Sequence, residues 1–181
     1  MILDLQFWLD AARFPVYLTP PTMTPTVTFF QFESDFVDTL RCIPMQVRYK
    51  LDTCGVKLKL SHWHQFTQAE RQQLVTAPCQ TEAEIQTYRQ MLHEFVASHG
   101  GDRPSDLPCD PHPAWHDAST IPDSVQTQAA SLGVVLTANQ WANLHPLQRF
   151  ALIKLSRSQH ENRNFEPALR EFGLLQDPSA S

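Results

Sequence analysis

The sequence predicts an all-α fold: one compact helical domain built from two pseudo-repeated helix-link-helix-helix units. Three observations lead there. Setting Ile43 against Ile121 lays "IPMQVRYKLDTCGVKLKLSHWHQFTQAERQQLV" (43–75) without a gap on "IPDSVQTQAASLGVVLTANQWANLHPLQRFALI" (121–153), with nine of 33 positions identical. Apolar residues recur at helical spacing in both copies. Proline and glycine punctuate the copies at the same places, and prolines outnumber glycines fourteen to five in the chain, so breaks are defined rather than loose.

Residues 1–28 read as a partly disordered N-terminal arm, with a short amphipathic stretch followed by Pro15, Pro20, Pro21 and Pro25. Met23 offers an alternative start. Val27 to Glu33 is aromatic and β-prone, suited to one short strand or an extended segment. The helical domain then spans 29–175, with repeat one at 43–98, a Pro-rich connector at 99–120 and repeat two at 121–175. A flexible tail, 176–181, follows.

Within each copy Pro44 or Pro122 opens a helix, where the missing N–H costs nothing. Val47, Leu51 and Cys54 fall at i, i+4 and i+7, as do Val125, Ala129 and Leu132, giving each first helix a buried face. Gly55 and Gly133 then end those helices in a left-handed turn. An extended link follows, which allows a short strand pair. Ser61 and Asn139 are placed to cap a second helix carrying Trp63 or Trp141. Thr67 or His145–Pro146 opens the third, with Arg71 and Arg149 at matching positions. Thr81 and Glu84 form a capping box for the helix that closes repeat one, and Asn164 is placed to cap a last helix bearing Phe165, Leu169 and Phe172.

Composition excludes several functions. The net charge is −5, 18% of residues are charged, and no stripe of Lys and Arg supports nucleic-acid binding. No apolar run is long enough to span a membrane, and the N-terminus lacks the basic start of a secretory signal. A cytoplasmic protein with reduced thiols is expected.

Ligand-type residues gather in repeat one, and the second copy acts as their control. Cys54 aligns with Leu132 and so reads as a small core hydrophobe. His62 and His64 align with Gln140 and Ala142, and on a helix i and i+2 point to different sides. No metal site is favoured, with Cys42, Cys79 and His62 as the alternative ligand set. Cys109, His112 and His116 form half a zinc spacing inside a loop where Trp115 is expected to pack down. No catalytic constellation is present: there is no GxSxG, HExxH or Gly-rich phosphate loop. No cofactor and no enzyme activity are expected. What repeat one has and repeat two lacks is a basic polar set of Arg48, Lys50, Lys57, Lys59, His62 and His64 beside Cys42. A second polar stretch, His160, Glu161, Asn162 and Arg163, precedes the last helix.

The stretches "FFQFESDFVDTLRCIPMQVRYKLDTCGVKLKLSHWHQFTQAERQQLV", "PLQRFALIKL" and "HENRNFEPALREFGL" resemble the nitrate reductase-associated protein family of cyanobacteria and some other bacteria. The resemblance runs from about Phe29 to Leu174. It implies an accessory role, with assimilatory nitrate reductase as the protein partner: the protein is needed for that molybdenum- and iron–sulfur-containing enzyme to be active without being its catalytic subunit. It carries over no catalytic residues, only the motif itself: Arg41, Cys42, Pro44, Lys50, Asp52, Gly55, Lys57 and Trp63 at one end, and Lys154, His160, Glu161, Asn162, Phe165 and Glu171 at the other. The partner-binding face is accordingly expected at Arg41, Arg48, Lys50, Asp52, Lys57, His62, His64, Lys154, His160, Glu161 and Asn162. Pro44, Cys54, Gly55, Trp63, Arg71, Pro122, Gly133, Trp141 and Arg149 are expected to be structural.

Overall fold

The punctuation read from the sequence sets the helix boundaries in the computed structural model, which describes residues 27–157 and 162–175. Helix α1 (Met45–Thr53) begins after an extended Pro44 and ends at Cys54, with Gly55 beyond it at φ 66°. The link forms β1 (Val56–Lys57), followed by α2 (Leu60–Gln65), α3 (Gln68–Thr76) and α4 (Glu82–Ser98). The connector contributes β2 (Ser105–Asp106), antiparallel to β1 with Val56 opposite Asp106 and Lys57 opposite Ser105. Copy two repeats the order with α5 (Asp123–Ser131), Gly133 at φ 75°, α6 (Ala138–Ala142) and α7 (Pro146–Arg157). A 3-10 turn at Asn162–Asn164 leads into α8 (Phe165–Glu171). Among the described residues the architecture is mostly helical, as expected, with one two-stranded sheet whose second strand comes from the connector. No helix of the described residues is long and apolar enough to cross a membrane.

Capping boxes at Thr67–Glu70 and Thr81–Glu84 start α3 and α4. Three local expectations need correction. Helix α6 starts at Thr137 rather than Asn139, because the Thr137 hydroxyl accepts from Gln140 N–H while the Gln140 amide oxygen accepts from Thr137 N–H. Helix α2 likewise starts before Ser61, on the Lys59 carbonyl. Of the two alternatives for 27–33 the strand is not formed: Phe30 is extended and packed in the core, and the Glu33 carboxylate accepts from its N–H and closes a 3-10 turn (Gln31–Glu33). Phe30 and Phe32 then stack, and both meet Phe172 edge-on.

Buried apolar residues fall into two clusters that follow the two copies. One gathers Val47, Leu51, Cys54, Trp63, Leu74, Tyr88 and Leu92. The other gathers Val125, Ala129, Trp141, Phe150, Leu152, Phe165 and Leu169, together with Phe30 and Met45. Helix α1 thus serves both, and a Lys154–Asp52 ion pair at 2.5 Å ties α7 to it. Each repeat is centred on its tryptophan, 0% exposed for Trp63 and 1% for Trp141. Burying such a ring is worth roughly 4–6 kcal/mol before entropic costs. Trp63 Nε1 donates to the Leu40 carbonyl at 2.7 Å, and Trp141 Nε1 donates to the Asp117 carbonyl at 3.0 Å.

Among the described residues Leu40 is the one non-glycine residue in the left-handed region, at φ 49°. That conformation costs roughly 1–2 kcal/mol. Two donors hold it there, since Arg71 Nη1 also reaches the Leu40 carbonyl, at 3.3 Å. Arg71 further donates to the carbonyls of Trp63 and His64. The turn that delivers Arg41 and Cys42 is therefore pinned from behind by α2 and α3.

Candidate functional site

Helix α1 begins at a proline with no side-chain cap, so its first N–H groups need an acceptor from elsewhere. Glu33 supplies it. Its Oε1 accepts from Met45 N–H at 2.6 Å, and the residue is 2% exposed. Burial pushes this carboxyl above its usual range, against the hydrogen bonds from Met45 and Phe30. The residue places a carboxylate at the positive end of α1, where it is stabilising. Glu171 does the same for the 3-10 turn, accepting from Gln31 N–H at 2.9 Å and Phe32 N–H at 3.3 Å.

Glu33, with the Gln31 and Phe32 that Glu171 holds, lines a cavity of about 440 Å³. Arg41, Cys42 and Arg48 line it from repeat one, and Arg163, Asn164 and Pro167 line it from the approach to α8. The "RCIP" and "RNFEP" stretches, which lie in different repeats, thus meet around one hollow. Arg48 Nε is steadied by the Ile43 carbonyl at 3.1 Å. Arg41 pairs with Asp35 at 3.1 Å, but both side chains are about 60% exposed, so the pair adds little stability.

A second hollow of about 430 Å³ adjoins the first, sharing Ile43 and Arg48. Its apolar lining comes from Ile43, Leu51, Val56, Leu58, Leu60 and Leu107, and its polar rim from Arg48, Asp52, Lys57 and Lys154. Leu60 is 49% exposed and Leu107 37%. The β1–β2 pairing carries Leu107 to this place, and Leu107 N–H donates to the Gly55 carbonyl at 2.8 Å. Around both hollows stand Arg41, Arg48, Lys57, Lys154 and Arg163, opposed by Glu33, Asp35 and Asp52. A chain of net charge −5 therefore turns a basic, partly apolar concavity to one side.

The structure places Arg41, Arg48, Asp52, Lys57 and Lys154 together here. His64 is exposed behind them, its Nε2 3.0 Å from the Arg41 carbonyl. His160 and Glu161 lie outside the described residues. Asn162 opens the 3-10 turn before α8.

Lys50 and His62 are corrections to the expected exposed face. Lys50 is 7% exposed. Its ammonium donates to the carbonyls of Ala77 at 2.6 Å and Val75 at 2.7 Å, and more weakly to Leu74 at 3.4 Å. It satisfies the C-terminal end of α3, where a cation is favoured. Burial pushes its pKa down to about 8. His62 is 5% exposed, with no hydrogen-bond partner for Nδ1 among the described residues. Burial and nearby Lys59 hold its pKa below the usual value.

The alternative metal set is not assembled. Among the described residues no three His, Cys, Asp or Glu side chains come together as a metal site. Cys79 is buried with its Sγ toward the Lys50 carbonyl, whereas Cys42 lines the first hollow. Nor does Cys42 have a hydrogen-bonded base among the described residues. In the connector, Trp115 packs edge-on against Tyr49 and Phe150.

Sequence reasoning missed Glu33, Asp35 and Leu107 as parts of this face. A glutamate following Phe30 and Phe32, ahead of a helix whose N-cap is proline, was a usable signal for Glu33. Leu107 had none, because its role depends on the pairing of the link in repeat one with a strand of the distant connector.

The model of one protein family, described as conserved nitrate reductase-associated protein, matches residues 29–172. No curated protein and no solved structure matches the chain.

Proposed function

The chain belongs to the conserved nitrate reductase-associated protein family, and from that membership we propose that it is a non-catalytic accessory or maturation factor that binds the assimilatory, molybdenum-dependent nitrate reductase polypeptide in the cytoplasm. The observation that carries the reading is the meeting of the two motif stretches around adjoining hollows, basic at the rim and apolar within. Such a face suits an acidic, amphipathic surface of a larger protein. Aliphatic side chains supply contact area, and Arg48, Lys57 and Lys154 set register and speed encounter. Arginines at a concave centre are also the residues on which interface energy concentrates.

The test is capture of nitrate reductase by the purified chain from cells grown with and without molybdenum, repeated with Arg48→Glu/Lys57→Glu. Preferential capture of the cofactor-free enzyme, lost in the double variant while its circular dichroism is unchanged, is expected. Equal capture of both reductase forms would replace maturation by a stable accessory subunit. Full capture by the double variant would remove the basic face from the interaction.

A further inference from the structure

The two copies share a skeleton but not a surface, and the difference lies in charge. From Ser124 to Gln148, a stretch covering most of α5, its turn, the link and α6, there is no Asp, Glu, Lys or Arg. The equivalent stretch of copy one, 46–70, carries Arg48, Lys50, Asp52, Lys57, Lys59 and Glu70. The fold itself thus does not require neutrality here. Only Val125, Ala129, Val134, Leu136, Trp141 and Leu144 are buried within the stretch, so this is not a core segment either.

The link shows what is missing. In copy one the extended Val56–Lys57 is covered by Ser105–Asp106, and Gly55 C=O receives Leu107 N–H. In copy two the link keeps the alternation of an extended chain, with Val134 and Leu136 buried and Val135 84% exposed. No strand pairs with it among the described residues. Leu132, expected in the core as the counterpart of Cys54, is instead 38% exposed beside it. Two of the five exposed large hydrophobics of the described residues thus fall on or next to the uncovered link, in a stretch with no charged side chain.

We propose that this face docks a second copy of the chain, the two Val134–Leu136 links lying antiparallel across a two-fold axis. A two-fold interface brings residues near its axis against their own copies. Any charge there meets a like charge, so a self-complementary surface is selected to be neutral, whereas a surface for an acidic or basic partner keeps the opposite sign. Antiparallel pairing of two identical open edges obeys the same symmetry and satisfies the backbone groups that Ser105–Asp106 satisfies in copy one. The basic concavity built on α1 and α8 contributes no position to this stretch, so reductase binding and self-association occupy different surfaces.

The experiment is sedimentation equilibrium on the full chain across a wide concentration range, with Val135→Lys and Val135→Thr as variants. A dimer is expected, retained by Val135→Thr. Val135→Lys, which sets like charges against each other across the interface, weakens it by roughly 100-fold or more. The circular dichroism of all three proteins should coincide. A monomer throughout the range, or a dimer indifferent to Val135→Lys, overturns the proposal. So does a monomer that dimerises only after removal of residues 1–22, which would make the chain's own arm the occupant of the edge. A monomer whose capture of nitrate reductase is lost in Val135→Lys overturns it as well, by assigning the face to the reductase.

Discussion

Replacing Lys50 by Met separates a structural lysine from a binding one. The substitution keeps most of the buried stem and removes the ammonium that joins α1 to the end of α3. Two strong hydrogen bonds, at 2.6 and 2.7 Å, are lost and two buried carbonyls are stranded, a cost of roughly 3–5 kcal/mol. Against this stands relief of charge burial. A fall in pKa from 10.5 to about 8 corresponds to about 3 kcal/mol disfavouring the charged form in the folded protein. At pH 7 the two effects largely offset, and the variant is expected to lose only about 0–2 kcal/mol. At higher pH they do not. Between the folded value near 8 and the unfolded value near 10.5, the unfolded wild-type chain binds a proton that the folded chain has released. Wild-type stability therefore rises with pH across that window, while the methionine of the variant has no proton to exchange. The gap between the proteins should widen by about 2–3 kcal/mol from pH 7 to pH 10. Tyr88, the ring beside the ammonium, is held neutral because burial raises its hydroxyl well above 10. Urea denaturation of both proteins at the two pH values measures the gap. A gap independent of pH would refute the desolvated, carbonyl-bound ammonium. Loss of reductase capture with unchanged stability would return Lys50 to the binding face.

The two repeat glycines should respond unequally. Both have positive φ, but a Cβ at Gly55 would lie 2.5 Å from Cys109 Sγ and 2.7 Å from the Leu107 carbonyl oxygen, whereas one at Gly133 meets nothing within 4 Å. Thermal unfolding of Gly133→Ala should reveal only the left-handed penalty of about 1–2 kcal/mol, with Gly55→Ala clearly worse; equal losses would contradict the packing of β2 on β1. The four thiols should also divide. Burial pushes Cys54 up to about 12 and Cys79 to about 11, while Cys109 is exposed and Cys42 partly so. A thiol reagent at pH 8 should therefore modify two cysteines quickly in the native protein and all four in denaturant. Four sites reacting at one rate would refute the burial of Cys54 and Cys79.

Features set by local rules were legible in the sequence. Pro44, Gly55, Thr67, Thr81, Pro122 and Gly133 punctuate the chain where expected, because capping and left-handed turns depend on near neighbours in the chain. Trp63 and Trp141 were legible as core because the repeat supplied a second sample of that position, whereas Cys54 is buried although its counterpart Leu132 is exposed. Lys50 was not. Helical spacing shows the Val47–Leu51–Cys54 stripe but not that the end of α3 packs beside it, offering carbonyls that a long basic side chain can satisfy. Two of the five basic residues of the face were legible for the same reason in reverse: Arg48 and Lys57 stood out against Gln126 and Val135, their aligned positions. The apolar lining, and the approach of Arg163 to Arg41, depend on contacts across the whole chain.

The repeat also misled at Arg149, as it did at Leu132, and the difference bears on how the rim of the first hollow is held. Arg71 and Arg149 align and both sit on the third helix of their unit, yet Arg71 donates to three carbonyls. Arg149 is 6% exposed, and its Nε and Nη1 have no hydrogen-bond partner among the described residues. The difference traces to the carbonyl each tryptophan uses. In copy one the left-handed turn at Leu40 aims its carbonyl at both Trp63 and Arg71. In copy two Trp141 alone takes the Asp117 carbonyl, and no positive φ marks that turn among the described residues. Strain persists only where surroundings over-determine it, and two donors on one carbonyl do so at Leu40. That rigidity fixes Arg41 and Cys42, which follow directly, at the rim of the first hollow. Copy two, lacking the doubly held turn, has no equivalent rim: Ser119 and Thr120 stand at the aligned positions, exposed in the connector. One strained turn held by two donors thus sets Arg41 and Cys42 at the rim of the first hollow, and the aligned turn of copy two does not reproduce it.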